Sequence, residues 1–85
     1  MTIQTAATQH SSTETALSNI RPGKRVRLVE INAGRNLQGR LLALGLIRGT
    51  QISVITNEGS GPLLIGLGES RMSLGHGMAE KILVE

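Results

Sequence analysis

The chain has no cysteine and no phenylalanine, tyrosine or tryptophan, and its six acidic residues are all glutamate. Without cysteine there are no disulfides, no thiolate metal sites and no cysteine nucleophile, a composition that fits a reducing compartment. Without aromatic rings there is no platform on which nucleic-acid bases can stack, and the core must be built from aliphatic residues and methionine. Without aspartate, a nucleophile, its base and an orienting group cannot be assembled from one histidine in the ordered part and scattered serines and threonines. The chain therefore reads as a binding module, not an enzyme. Residues 1–18 carry neither a basic leader nor a continuous apolar segment, so neither a signal peptide nor a membrane span is expected. A soluble, cytoplasmic protein follows.

What is present is modest in size and basic in balance. Eighty-five residues allow one small domain. Nine Lys and Arg against the six acids give a net charge of +3. Arg21, Lys24, Arg25 and Arg27 fall within one short stretch. Such a cluster serves as a patch for phosphate, nucleic acid or an acidic protein surface. The plainer reading is a solvated strand edge, where positive charge discourages edge-to-edge pairing.

Residues 1–16 are polar and low in bulk, the composition of a disordered tail. Order is expected from residue 17. Arg21-Pro22-Gly23-Lys24 carries Pro and Gly where a type II turn wants them. A strand over 26–31 leads to a helix over 36–44, with Asn36 as its N-cap. Leu37, Leu41 and Leu44 recur at helical spacing on the inner side, and Leu42 widens that stripe. Gly45 then sits where a left-handed residue ends a helix, and Leu46 follows where it can pack back onto the last turn. From Gln51 the period changes to two, predicting a strand over 52–57. A Gly/Ser/Pro loop follows. The run 63–67, apolar but for Gly66, reads as a strand buried on both faces for part of its length. A strand over 71–74 directs Met72 and Leu74 inward. Gly75-His76-Gly77 breaks it, 78–81 forms one helical turn and 82–84 closes. About five short strands with one inserted helix argue for a small barrel.

Three motifs bear on chemistry. Gly34-x4-Gly39 has the spacing of half a P-loop, but Arg40 and Leu41 stand where lysine and Ser/Thr are required. Nucleotide binding there is not expected. His76 and Glu80 are four apart and share a face of the last helical turn, which offers two ligands to a divalent metal. A held metal needs three or four, and the other histidine, His10, lies in the tail. No cofactor is therefore expected beyond a weakly held divalent transition metal at His76 and Glu80. Arg71 reads as the polar face of a strand or as a single anion-binding side chain.

Several segments, taken in order, resemble the ferrous iron transport protein A (FeoA) family over residues 17–85. They are Leu17-Ser18-x-Ile20-x-Pro22-Gly23, then Arg40-Leu41-Leu42-x-Leu44-Gly45-Leu46-Ile47-x-Gly49-Thr50, Gly61-Pro62-Leu63-x-Ile65, Ser73-Leu74, and Met78-Ala79-Glu80-Lys81-Ile82-x-Val84. The second is the most specific. Gly75-His76-Gly77 departs from the arginine the family usually carries after the leucine equivalent to Leu74, and the loop before Leu63 also differs.

The resemblance implies an SH3-like β-barrel and a cytoplasmic accessory role for the membrane ferrous iron transporter FeoB, which carries a cytosolic GTPase domain. The family is also linked to transition metals. The same domain type ends metal-dependent transcriptional repressors, which makes a nucleic-acid or anion-binding module the alternative reading; no DNA-binding helical domain precedes it in this sequence, so a stand-alone protein is expected, and without aromatic rings nucleic acid is not the expected partner. The expected partner surface is Leu46, Ile47 and Arg48, with Arg21, Lys24 and Arg25 as a contact for acidic groups. Self-association through the same surface is the second expectation, and direct membrane insertion is not expected.

Overall fold

The computed structural model describes residues 14–85. The tail expected over residues 1–16 lies outside the described residues up to residue 13. From there it needs correction: Thr15–Ala16 is a strand (β1) that pairs with Val84 and Leu83. The fold thus starts two residues before the expected boundary at 17. Two residues carry no periodicity, and the outer edge of the last strand recruits them.

A 3₁₀ turn, Leu17–Asn19, places Leu17 fully inside. Asn57 anchors this turn, its amide donating to the carbonyls of Ser18 at 3.0 Å and Ile20 at 2.8 Å. The Pro22-Gly23 turn closes as expected, with Gly23 at φ +90° and Lys24 N–H donating to Arg21 at 3.3 Å. The chain then runs β2 (Arg25–Ile31), α1 (Arg35–Ala43), β3 (Gln51–Asn57), β4 (Leu63–Leu67), β5 (Ser70–Leu74), the short helix α2 (His76–Ala79) and β6 (Ile82–Val84).

Six antiparallel strands, one more than expected, form a sheet in the order β1-β6-β2-β3-β4-β5. Its bend lies in β2, whose first half pairs with β3 and whose second half pairs with β6. A register shift between Leu28 and Glu30 marks the corner, and a second interrupts β3 between Val54 and Thr56. Bulges of this kind increase twist and turn a strand from one sheet to another. The edges β1 and β5 are not bonded to one another, so the barrel is left open.

The core is aliphatic throughout, centred on Leu17, Leu41, Leu46, Ile52, Ile65 and Ile82. In β4 only Leu63 and Ile65 are fully buried, whereas Leu64 is half-buried. The strand therefore has one inner face, and the expectation of burial on both is corrected.

Helix α1 differs from expectation at its start. Gly34, not Asn36, is the N-cap, and no side chain caps the helix. Gln38 instead reaches back from the first turns, its amide donating to Ala33 at 2.8 Å and Ile31 at 3.0 Å. Those bonds satisfy carbonyls of the tight β2–α1 link and fix the helix angle against the sheet. The second helix also begins earlier than expected, at His76, because Gly75 N-caps it and accepts from Ala79 N–H at 3.0 Å.

Candidate interaction site

The site is built on the exit from α1. Leu46 N–H donates to Leu41 at 3.0 Å and Gly45 N–H to Leu42 at 3.0 Å. These are the paired bonds of a Schellman ending, with Gly45 at φ +99°. The motif turns the Leu46 side chain back onto the last helical turn, where it is 1% exposed. Leu46 is thus core, and its assignment to a partner surface is corrected: the geometry that ends the helix consumes its side chain.

Ile47 points the other way and is 51% exposed. Its backbone is nevertheless rigid. Ile47 accepts from Thr50 N–H at 2.9 Å, and Leu28 accepts from Gly49 N–H at 2.8 Å while donating to Thr50 at 2.9 Å. An apolar side chain held outward on a braced turn loses little entropy on docking.

Leu42 and Leu44, expected on the inner stripe, are each 55% exposed and are corrected accordingly. Leu41 is the buried residue of the helix, with Leu37 packed half-buried against the core. Nine helical residues cover too little sheet for a wider stripe, and Leu46 fills the space beside Leu41. Among the described residues, Leu42, Leu44 and Ile47 are the large hydrophobic side chains left exposed.

Leu42 and Ile47 wall a groove of about 450 Å³ whose floor is Leu28, Ile31 and Leu46 and whose rim carries Glu30, Arg35 and Arg48. Arg48 is held in place, its Nε donating to the Val29 carbonyl at 3.0 Å. Val29 lies at the β2 register shift, so the irregularity that bends the sheet also positions this guanidinium. From residue 31 to residue 57 the chain contains Arg35, Arg40 and Arg48 and no acid. The groove is apolar within, and its margin carries two arginines against Glu30, a net positive balance.

Arg21, Lys24 and Arg25 do come together, around a depression of about 490 Å³ that Glu85 also lines. They lie at the opposite end of β2 from the groove. Arg25 and Ile31 are the two ends of the 7-residue strand, at most about 20 Å apart at 3.3 Å per residue along the bent chain. The expected partner residues therefore form two patches.

His76 Nε2 and Glu80 Oε2 face each other at 3.5 Å across one helical turn. The His76 Nδ1 is buried and unpartnered. Among the described residues no group of three His, Cys, Asp or Glu is placed to hold a metal ion. The described residues thus present a pair of donors at this point, short of the three or four a held transition metal takes.

The FeoA domain family matches residues 15–85. The chain belongs to the FeoA family. It is 35% identical over 69 residues, 81% of its length and 83% of the relative's, to a Methanocaldococcus jannaschii protein named "Putative Fe(2+) transport protein A". It superposes with a TM-score of 0.80 and 32% identity on the crystal structure of an iron uptake regulatory protein (FeoA), covering 85% of this chain and 96% of that one. A zinc complex of Stenotrophomonas maltophilia FeoA, described as a procaryotic SH3 domain protein, gives a TM-score of 0.73 at 22% identity, over 84% of this chain and 89% of that one. The fold is SH3-like. FeoA is a family of ferrous iron uptake, an accessory transport family and not a known enzyme family. Among the described residues of this FeoA domain no helix is long and apolar enough to cross a membrane.

Proposed function

We propose that this FeoA-family chain is an accessory interaction module of ferrous iron uptake, and that its groove between α1 and β2 docks on the cytosolic GTPase domain of the membrane transporter FeoB. The observation that supports the reading most is Ile47, a large aliphatic side chain held 51% exposed on a braced turn beside an anchored arginine. An apolar anchor that excludes water, with charge at the rim, is the usual anatomy of an interface centre. The cationic margin favours a partner segment carrying carboxylates around an apolar side chain. The module acts at the cytoplasmic face of the membrane, and the iron is the cargo of the transporter.

Ile47→Glu tests this. An exposed position tolerates the charge, so the melting temperature stays within a few degrees of wild type. Affinity for the GTPase domain, measured by titration calorimetry, falls about tenfold to thirtyfold, the equivalent of 1–2 kcal/mol. Unchanged affinity in a folded variant refutes the assignment. Sedimentation of the chain alone shows whether the same patch also joins two copies. A salt series separates the nucleic-acid alternative, whose affinity falls log-linearly with salt, from an apolar dock, whose affinity does not.

A further inference from the structure

The strand register aligns one row of residues across four strands. Arg25 of β2 lies opposite Ser53 of β3, Ser53 opposite Gly66 of β4, and Gly66 opposite Arg71 of β5. Residues opposite one another on paired strands project from the same face. The neighbours Ile52, Val54 and Ile65 are buried, so this row belongs to the outer face. Arg27 stands one step along, opposite Gln51, and both are exposed. Three inter-strand steps place the two ends of the row about 14 Å apart.

Between Arg25 and Arg71 the floor is Ser53 and Gly66, with the half-buried Ile55 side chain lying over Gly66, where a Cβ would meet Ile55 Cδ1 at 3.6 Å and Ser53 Cβ at 3.7 Å. Arg25 also lines the depression that holds Arg21 and Lys24. The cations Arg21, Lys24, Arg25, Arg27 and Arg71 thus share one face of the sheet. Five positive charges there outnumber two acids: Glu85, which exchanges both backbone hydrogen bonds with Arg27 at 3.0 Å and projects beside it, and Glu69 in the β4–β5 turn. Among the described residues the one basic–acidic side-chain contact within 4 Å is His76 with Glu80, so neither Glu85 nor Glu69 forms a salt bridge with a member of the set.

We propose that this face adsorbs to a bilayer surface through anionic lipid headgroups. Its chemistry selects that occupant. The exposed large hydrophobic side chains are all elsewhere, at Leu42, Leu44 and Ile47, so the face lacks the apolar centre of a stable protein interface. There is no aromatic residue to stack a base, and a broad sheet face does not enter a duplex groove. Spread cations around a floor of Ser53, Gly66 and the half-buried Ile55 instead suit a plane of negative charge. Adsorption by this face leaves the groove, at the far end of β2, open to a membrane-embedded partner and raises its effective concentration there. The proposal stands apart from the docking assignment of Ile47, which uses different residues.

The test is co-sedimentation of the full chain with vesicles of phosphatidylcholine alone and of phosphatidylcholine mixed with phosphatidylglycerol. Binding is expected to the mixed vesicles only, and to collapse at high salt. Arg71→Gln and Arg25→Gln each lower the partition constant about fivefold, and the double variant about twenty-five-fold. Ile47→Glu leaves it unchanged, which separates this face from the groove. Equal binding to both vesicle types, indifference to Arg71→Gln, or displacement by duplex DNA at equal phosphate concentration overturns the proposal. So does displacement by inorganic phosphate at ionic strength matched with chloride, which identifies a free-anion site.

Discussion

Leu46→Ala lowers the unfolding free energy by about 2–5 kcal/mol, while Ile47→Ala, one residue on, changes it by roughly half a kcal/mol or less. The contrast follows from the helix ending. Leu46 is fully buried in the same core cluster as Leu41 and Ile52, whereas half of Ile47 faces solvent. Truncating Leu46 removes both its transfer energy and the contacts of its neighbours, and a core without aromatic rings has no large side chain to collapse into the gap. In a domain of this size the melting temperature falls by roughly 10 °C or more. Thermal unfolding followed by far-ultraviolet circular dichroism measures both variants. Equal effects would show that the two side chains are not on opposite sides of the turn.

Gly45→Val lowers stability by about 1–3 kcal/mol, the cost of holding a branched residue in the left-handed region. Space is not the issue, since a Cβ at Gly45 meets nothing within 4 Å. The cost comes from φ +99° alone, which the paired bonds from Gly45 and Leu46 to the last turn impose. Gly45→Asn, a residue that tolerates positive φ, recovers much of the loss. A valine variant that melts with wild type, by the same dichroism, would contradict the Schellman ending. A strongly destabilised variant that asparagine does not rescue would point to packing instead.

The helix ending was legible in the sequence because Leu41-x-x-Leu44-Gly45-Leu46 states its own chemistry: a helical stripe, a residue free to take positive φ, and an apolar return. The alternation of Ile52 and Val54 with Ser53 likewise made β3 legible as a strand, while the register shift between Val54 and Thr56 was not. Other features were hidden for physical reasons. Thr15–Ala16 is too short to show a period, and only the open edge of β6 makes it a strand. Asn36 has the right side chain for a cap, but Gln38, by bonding into the link, lets Gly34 take that place. Leu42 and Leu44 looked internal because helical spacing gives the angle of a stripe and not the width of the surface it must cover.

The site divides in the same way. Ile47 and Arg48 were found by their place after the C″ leucine, and the clustering of Arg21, Lys24 and Arg25 by their proximity in sequence. The separation of those two groups along β2 was not legible, because it depends on which end of a strand each loop joins. Arg71 was read as the polar face of a strand or as a single anion-binding side chain, without its neighbours. Alternation gives the face of a residue, but the partner opposite it is set by register, and register depends on loops and bulges distant from Arg71. The His76–Glu80 pair was visible from spacing alone, since residues four apart meet on any helical turn.

The most direct measurement is amide chemical-shift mapping of the isotopically labelled chain on titration with the GTPase domain of FeoB. The docking account predicts that the largest changes fall on residues 42–49 and on Arg35 and Gln38 across the groove, with Arg25, Ser53 and Arg71 little affected. Changes centred on the Arg25–Arg71 face or on His76, with Ile47 unmoved, would contradict it.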